Sequence, residues 1–238
     1  MSKKIRLNKA LSALGICSRR EADRLISYRQ ISVNGKLVVE TWCKISPTDT
    51  ISINEKKYTI GDRGFNPRVW IYYKPRGLIT TRHDKEGRKT VFEDVDVKIG
   101  MRVISVGRLD FNSEGLLLMT NDGAFAQYAM LPKTAWERRY KVRVFGEVTE
   151  EMRSMLKKGM CIEGVKYAPL IVTTINRGNG KNCWLNCILK EGKNREIRKL
   201  FGYFGISVNK LIRYQYGPYS LGNLMPGEVK EADVHFEM

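Results

Sequence analysis

The order of hydrophobic and polar positions predicts two short helices at the start of the chain. Leu7, Ala10, Leu11 and Leu14 recur at the spacing of one helix face, and Gly15 follows where that helix can end. The next segment, SRREADRLIS, starts with a serine that has a glutamate three residues further on, the pattern of a helix capping box. The second helix therefore turns its apolar side inward and presents arginines to solvent.

Strand patterns complete the N-terminal segment. Two short apolar runs, ISV and KLVV, flank Asn34 and Gly35, the dipeptide most typical of a two-residue hairpin turn. The segment DTISIN adds an alternating strand through Ile51 and Ile53. The first sixty residues thus predict a compact unit of two helices and a small sheet.

A polar segment separates this unit from the rest of the chain. Residues 54–67, NEKKYTIGDRGFNP, contain two glycines and a proline, which predicts a linker. We therefore expect one domain over residues 1–63 and a second over residues 64–238.

The second domain is richer in strands than in helices. Helical patterns occur in VTEEMRSMLKKG, with Thr149 as the cap and Gly159 at the end, and in NREIRKLFGYFG, which places four apolar residues on one face. The pattern predicts an α+β fold with a mostly antiparallel sheet. The strand-like segments are VWIYYKPRGLITT, TVFEDV, MRVISVGRLD, GLLLMTNDG, RRYKVRVFG, CWLNCILKEG and SVNKLIRYQYG.

The charge of the chain favours a polyanionic partner. It has 42 lysine and arginine residues against 25 acidic residues, a formal net charge of +17. Such an excess favours nucleic acid, because each neutralised phosphate releases counterions, and an anionic membrane surface is the competing partner. No segment approaches the ~18 apolar residues of a spanning helix, and the basic start lacks the apolar core of a signal peptide.

The cysteines indicate a reducing compartment. The five cysteines form no CxxC pair and only two histidines accompany them, which gives little support to a zinc site. An odd number of cysteines in a chain without a signal favours the cytoplasm.

An isolated acid lies in the segment VGRLDFNSEGLLLMTNDG, residues 106–123. Asp110 is bracketed by Gly107 and Gly115 and precedes a predicted buried strand, Leu116–Met119. Either the strand holds the acid in place for chemistry, or the acid caps a turn. The spacing alone leaves both interpretations open.

Two further segments concentrate chemistry. In EGKNREIRKLF, Asn194 can cap a helix that carries Arg195, Arg198 and Lys199 opposite its apolar face. These cations could keep a carboxylate ionised or could bind phosphate. In WERRYKVRV, Arg138, Tyr140 and Val142 alternate to one face of a predicted strand. A tyrosine in such a position is usually a core aromatic whose hydroxyl is hydrogen-bonded.

The N-terminal motif RLNKALSALGICSRREADRLI…ISVNGK resembles the S4 RNA-binding domain. The resemblance implies that the second helix and the hairpin edge contact structured RNA. The residues expected near phosphates are Arg6, Lys9, Ser18, Arg19, Arg20, Asn34 and Lys36.

The motifs KPRG, GRLDFNSEGLLLMTNDG, ERRYKV and EGKNREIRKLF…VNKLIRYQYG resemble those of the RsuA-type RNA pseudouridine synthases, most closely the large-subunit ribosomal RNA pseudouridine synthase B subgroup. The resemblance implies isomerisation of a flipped-out uridine to pseudouridine in ribosomal RNA, with 23S RNA as the expected substrate. It implies a cytoplasmic enzyme that needs no metal and no cofactor, and nothing demands more than a monomer.

Site residues follow from the same resemblance. It makes Asp110 the catalytic aspartate, Tyr140 the residue that stacks on the base and assists proton removal, and Arg198 the cation that pairs with Asp110. It places Arg108 at the position that the base vacates. The remaining expected RNA contacts are Leu211 or Ile212 against the ring, and Lys74, Arg76, Arg195 and Arg213.

Several alternatives stay open. Asp110 could attack the sugar or base covalently, or could remove the 2′ proton of the sugar. The chain could modify 16S RNA instead, or could be an RNA-binding assembly factor without catalysis. A metal-dependent nuclease is a third class, but Glu114 and Asp122, the acids near Asp110, lie across a predicted strand rather than in a cluster.

Overall fold

The computed structural model describes residues 4–60, 66–177 and 182–235. The N-terminal unit contains two helices and six short strands, and the domain boundary expected near residue 64 lies outside the described residues. The helices are α1 (Leu7–Ala13) and α2 (Arg19–Ser27), and the strands are β1 (Ile5–Arg6), β2 (Ile31–Val33), β3 (Lys36–Leu37), β4 (Lys44–Ile45), β5 (Thr50–Ile53) and β6 (Lys56–Thr59).

This unit has a hydrophobic core of its own. Leu7, Leu11 and Ile26 from the helices pack with Ile31 and Ile51 from the sheet, and all five side chains are fully buried. The sequence predicted both helices, the strand through Ile51 and the hairpin between β2 and β3, and the structure confirms them.

Local chemistry explains two of these predictions. The hydroxyl of Ser18 accepts a hydrogen bond from the Glu21 amide at 3.1 Å and so caps α2. Asn34 and Gly35 have φ angles of 50° and 78°, the left-handed pair that a two-residue hairpin requires.

The N-terminal unit contacts the second domain. The side-chain amide of Asn121 donates to the carbonyl of Ala13 at 3.2 Å. Gly15 lies so close to Met101 and Arg102 that an added Cβ would come within 3.0 Å of the Arg102 amide. The two domains therefore have separate cores but touch directly.

The second domain is built around one large sheet flanked by helices. Its described helices are α3 (Val91–Ile99), α4 (Gly123–Met130), α5 (Glu150–Lys158) and α6 (Glu196–Tyr203). Its strands are β7 (Val69–Lys74), β8 (Ile104–Ser105), β9 (Glu114–Thr120), β10 (Arg138–Phe145), β11 (Met160–Ile162), β12 (Val165–Tyr167), β13 (Ile171–Arg177), β14 (Asn182–Leu189), β15 (Ser207–Tyr216), β16 (Tyr219–Ser220) and β17 (Val229–Ala232).

The sheet has the order β13-β14-β10-β15-β9-β7-β17. Neighbouring strands are antiparallel except at its centre, where β9 and β15 run parallel and Gly115 lies opposite Arg213. Gly115 has φ 106°, and an added Cβ would lie 2.3 Å from the Arg213 carbonyl oxygen, so only glycine fits at this junction. The predicted α+β class with a mostly antiparallel sheet is confirmed.

Both faces of the central strand are buried. Along β9, Leu117 and Met119 join one hydrophobic cluster, whereas Leu116 and Leu118 join the cluster on the opposite face. The predicted buried strand at Leu116–Met119 is therefore confirmed, and its rigidity limits the movement of the loop before it. No helix in the described ranges is long and apolar enough to cross a membrane.

Two helices depart from the sequence-based prediction. The segment TVFEDV was expected to be a strand, but it starts α3, because Thr90 and Glu93 form a reciprocal capping box. Helix α4 was not predicted at all. Asp122 starts it by accepting from two amides of the first turn, and its mainly apolar sequence hides the helical period.

Candidate active site

A cleft of about 360 Å³ opens where the central strands meet the loop before β9. The loop supplies one wall, β10 and β15 supply the floor, and the segment between β14 and α6 supplies the opposite wall. Six of the residues predicted from sequence line it: Arg108, Asp110, Tyr140, Arg195, Leu211 and Arg213.

The loop that carries Asp110 is fixed by hydrogen bonds on both sides. Before it, the Thr80 hydroxyl donates to the Leu109 carbonyl at 2.9 Å, and Leu109 itself is buried. After it, the Gly77 amide donates to the Phe111 carbonyl at 2.9 Å. The carboxylate of Asp110 is half-buried and makes no hydrogen bond or ion pair with any described residue, so it is available to a substrate.

Three cations hold the main chain that follows Asp110. Arg198 Nη2 donates to the carbonyl of Asn112 at 3.1 Å, Lys74 Nζ donates to that of Ser113 at 2.8 Å, and Arg213 Nε donates to that of Leu116 at 2.8 Å. Charged donors make the stronger kind of hydrogen bond. The acid therefore lies at the start of a segment fixed by three positive groups.

Lys74 does not lie where an RNA backbone contact was expected. Its side chain is fully buried beneath the loop, and its ammonium group is taken up by the carbonyls of Pro75 and Ser113. Burial lowers the pKa of Lys74 to about 8, and the negative charges of Asp110 and Glu114 oppose that shift. The expected phosphate contact is therefore wrong, because no phosphate can reach this group.

Arg213 is also buried, but it lines the cleft. Its side chain is only 4% exposed, and its guanidinium lies 5.0 Å from the ring centroid of Tyr216. Nε is hydrogen-bonded to the Leu116 carbonyl, so Arg213 forms part of the cleft floor, and its expected contact with RNA stays a prediction.

Arg198 was expected to pair directly with Asp110, and this expectation is wrong. Its guanidinium donates to the carbonyls of Asn112 and Val208, the latter at 2.7 Å, and no ion pair with Asp110 occurs among the described residues. Burial lowers the pKa of Arg198, the charge of Arg195 lowers it further, and Asp110 acts in the opposite direction. The cation therefore acts on Asp110 through space while it holds the loop.

Tyr140 lies on β10, directly opposite Cys187 on one side and Arg213 on the other. The side chain is 8% exposed and lines the cleft. A core tyrosine normally satisfies its hydroxyl, but this hydroxyl has no hydrogen-bond partner within the described ranges. It is therefore available to a bound molecule.

Alternation along β15 decides between Leu211 and Ile212. Leu211 lines the cleft, whereas Ile212 points to the other side of the sheet and packs into the hydrophobic cluster that contains Leu116 and Leu118. Successive residues of a strand face opposite sides, so only one of them can reach the cleft. Leu211 is that residue, and Ile212 is excluded as a contact to the base.

Three cations remain exposed around the cleft mouth. Arg108 and Arg195 line it, and the exposed Arg76 lies near enough to Arg198 for its charge to lower the pKa of Arg198. Arg195, not Asn194, stands at the N-cap of α6 and has φ 51°, so the predicted asparagine cap is wrong. The predicted RNA contacts at these three arginines stay predictions.

In the N-terminal unit, the expected RNA contacts are all exposed or partly exposed. Asn34 differs from the others in that its side chain accepts from the Thr50 amide at 2.9 Å and donates to Asp49 at 3.0 Å. It holds the hairpin, and its amide is already engaged. The other expected contacts are Arg6, Lys9, Ser18, Arg19, Arg20 and Lys36.

Sequence reasoning missed several residues of the far wall. Glu191, Lys193 and Glu196 line the cleft, as does Arg138, which donates to the Lys190 carbonyl at 2.7 Å. Burial, then the neighbouring Glu191, raises the pKa of Glu196 to about 8. The only signal in the sequence was the pair of glutamates that brackets the segment between β14 and α6.

Two protein families match different parts of this chain. The RNA pseudouridylate synthase family matches residues 68–203, and the S4 domain matches residues 5–39. The first match includes Asp110, Tyr140 and Arg198. The second includes both N-terminal helices.

Curated relatives are similar along nearly the whole chain. It is 46% identical to an uncharacterized RNA pseudouridine synthase of Rickettsia conorii, over 95% of this chain and 95% of that protein. It is 40% identical to ribosomal large subunit pseudouridine synthase B of Pasteurella multocida, over 96% of this chain and 67% of that protein. The protein of the same name from Buchnera aphidicola is also 40% identical, over 95% of this chain and 87% of its own length.

A solved structure has the same fold. A crystal structure described as a pseudouridylate synthase superimposes with a TM-score of 0.65 and covers 96% of both chains, at 23% identity. That likeness concerns the arrangement of the chain and does not by itself indicate a substrate.

Proposed function

Because this chain belongs to the RNA pseudouridylate synthase family and carries an N-terminal S4 domain, we propose that it converts particular uridines of large-subunit ribosomal RNA to pseudouridine. The enzyme class follows from the family. The choice of the large-subunit 23S RNA rests on the relatives named for that subunit at 40% identity. The single observation that carries the mechanism is the free carboxylate of Asp110 in a cleft with Tyr140 and Leu211.

The uridine must leave its stack to reach this cleft, which costs a few kcal/mol. Arg108 lies exposed at the mouth, beside the Asp110 loop, where a guanidinium can occupy the position that the base vacates. The exposed Arg76 and Arg195 supply positive charge for the flanking phosphates. These contacts offset the cost of unstacking.

Inside the cleft, Asp110 acts on the nucleoside. The glycosidic bond from nitrogen 1 breaks, and the uracil rejoins the sugar through carbon 5. The carboxylate either attacks covalently or removes the 2′ proton, and both routes require it to be ionised. The positive charges of Lys74 and Arg198 lie near this carboxylate and attract it through space.

Tyr140 and Leu211 provide the surfaces for the base. The aromatic face of Tyr140 stacks on the uracil and the apolar Leu211 contacts the ring, which holds it while it turns. The free hydroxyl of Tyr140 assists the loss of the proton from carbon 5.

The S4 domain provides affinity for structured RNA outside the cleft. Arg19 and Arg20 lie exposed on α2, and Lys36 lies on the hairpin edge. We place this activity in the cytoplasm, in a single chain.

Mapping pseudouridine in total ribosomal RNA from cells with and without this protein tests the proposal. We expect one or a few sites in 23S RNA to disappear, and their return when the wild-type chain is restored. The Asp110→Asn variant should bind the RNA but not restore the sites. Sites lost from 16S RNA would correct the substrate, and restoration by Asp110→Asn would favour a non-catalytic assembly role.

A further inference from the structure

Two glutamates form the cleft wall that faces Asp110. Glu191 follows β14, and Glu196 is the first residue of α6, so the two bracket a short segment that includes Lys193 and Arg195. The side chain of Glu196 is only 4% exposed. A carboxyl group so deeply buried beside another acid needs a specific reason, because burial disfavours its charged form.

The oxygens of these carboxyl groups have distinct partners. Glu196 Oε2 accepts from the Lys193 amide at 2.9 Å, and Glu191 Oε1 accepts from the Ala168 amide at 2.6 Å. Glu191 Oε2 forms an ion pair with the Lys193 ammonium. In the ionised form of Glu196, Oε1 is buried and has no hydrogen-bond partner among the described atoms.

One proton resolves this arrangement. If Glu196 is protonated on Oε1, it becomes a donor to the carboxylate of Glu191, and its last buried oxygen is satisfied. Two adjacent acids that cannot both ionise hold a single proton between them. Both the burial of Glu196 and its unpartnered oxygen point to this state.

We propose that Glu191 and Glu196 share one proton and that this hydrogen-bonded pair positions the segment between them, including Arg195, against the RNA. The RNA part of the inference rests on the proposed function, whereas the shared proton does not. Glu191 and Glu196 are positioning residues in this scheme, because neither needs to touch the reacting atoms.

The segment needs such a restraint. Arg195 adopts φ 51°, a left-handed conformation that is unfavourable for a residue with a Cβ. Its side chain makes no hydrogen bond or ion pair with any described residue, whereas Glu196 accepts a hydrogen bond from the Lys193 amide two residues before it. On the other side, Gly192 lies against Arg138, since an added Cβ would be 3.5 Å from its Nε.

The surrounding charges set the consequence of losing the proton. The groups near the two glutamates are Lys193 and Arg195 on the segment itself and Arg138 on β10. Tyr167 on β12 also lies nearby, with its ring centroid 5.7 Å from Lys193 Nζ. With one shared proton the pair carries one negative charge, which Lys193 balances. When both acids ionise, a second negative charge appears in the wall that faces the RNA phosphates, and the hydrogen bond is lost.

The test measures binding of the full-length chain to transcribed 23S RNA from pH 6.5 to 9. We expect the affinity of the wild type to fall by about fivefold as the pair ionises. In Glu196→Gln the side-chain amide can donate to Glu191 at every pH, so the pH-dependent loss should disappear. Glu196→Ala should bind weakly at all pH values, and Glu196→Gln should rescue most of that loss.

The matched control is Glu147→Gln. It makes the same chemical change at an exposed residue beyond the far end of β10, and it should keep the pH profile of the wild type. An RNA-independent readout is the infrared carbonyl band of a protonated carboxyl group at neutral pH. The wild type should show it, and Glu196→Gln should not.

The outcomes separate the two proposals. If the wild type modifies no ribosomal RNA but shows the infrared band, the proposed function fails and the shared proton stands. If it modifies RNA normally, yet Glu196→Gln has the same pH profile as the wild type, the positioning role is overturned. Absence of the infrared band from the wild type would overturn the shared proton itself.

Discussion

The guanidinium of Arg198 donates to the main-chain carbonyl of Asn112 at 3.1 Å, two residues after the candidate catalytic acid. A second hydrogen bond ties the same group to the Val208 carbonyl at the start of β15. The cation thereby links α6, β15 and the Asp110 loop. It contributes positive charge near the carboxylate without occupying the oxygen atoms that a substrate needs.

Replacing Arg198 should therefore impair the reaction more than the binding of RNA. Arg198→Met removes two hydrogen bonds donated by a charged group, each worth about 1.5–3 kcal/mol, and leaves the loop free to shift. We expect the single-turnover rate at saturating RNA to fall by at least ~100-fold, since small misplacements of a reacting group have effects of that size.

The control for that experiment is Arg195→Met, which removes a neighbouring but exposed cation. It should weaken RNA affinity while it leaves the saturated rate closer to that of the wild type. Equal losses of rate in both variants would contradict the special position of Arg198.

Lys74 should make the reaction sensitive to alkaline pH. Its pKa is lowered by burial to about 8, so its positive charge beneath Asp110 is lost as the pH rises through that value. We expect the single-turnover rate at saturating RNA to fall above pH 8. Lys74→Met should be slow at every pH and should lack this fall; a fall as steep as that of the wild type would assign the titration to another group.

Rising pH should increase the contribution of Lys74 to folding stability, although it lowers the reaction rate. Between about pH 8 and its ordinary pKa of 10.5, Lys74 is neutral in the folded protein but charged in the unfolded chain. The unfolded state then binds more protons, so this group makes the fold more stable as the pH rises through that window. Denaturant unfolding of the wild type and of Lys74→Met across this range measures the difference.

Tyr140→Phe should separate stacking from proton transfer. The phenyl ring keeps the surface that faces the base, so RNA affinity and thermal stability should stay close to the wild type. Loss of the hydroxyl should lower the rate by a factor of about 10²–10⁴, the usual contribution of a general base. A wild-type rate in Tyr140→Phe, measured by pseudouridine formation, would remove the hydroxyl from the mechanism.

Gly115→Ala should disrupt the centre of the sheet. The new Cβ would lie 2.3 Å from the Arg213 carbonyl oxygen, at a φ of 106°. We expect a loss of roughly 2–5 kcal/mol in the free energy of unfolding, from strain and overpacking together. Gly87→Ala is the matched control, because Gly87 also has positive φ but has nothing within 4 Å of an added Cβ.

That control should cost about 1 kcal/mol, from backbone strain alone. Denaturant unfolding of both variants measures the comparison. Similar losses in the two would mean that the contact at the parallel junction contributes little.

Sequence patterns between residues a few positions apart were sufficient to predict most of the secondary structure. The cap at Ser18, the turn at Asn34 and Gly35, and the buried strand at Leu116–Met119 each depend on residues a few positions apart, and all three occur in the structure. Helix α4 was missed because nearly all of its residues are apolar, so no polar face marks its period. Asp122, its cap, was the available signal.

The family motifs indicate the candidate residues, and the tertiary structure decides where their side chains lie. Asp110, Tyr140 and Leu211 lie far apart along the chain, and the pairing of β15 with both β9 and β10 brings them to one cleft. The roles of Lys74 and Arg198 could not be read from sequence. Long, charged side chains are usually exposed, and only the tertiary structure places these two over main-chain carbonyls.

The sequence by itself determined the α+β class, the excess of positive charge and the family, because these depend on composition, short-range periodicity and motifs. The tertiary structure decided that Leu211 and not Ile212 faces the cleft, that Arg198 holds the loop, and that two glutamates meet in its wall. Each of these depends on strand register or on burial. Both are properties of contacts between segments distant in the chain, which no local pattern encodes.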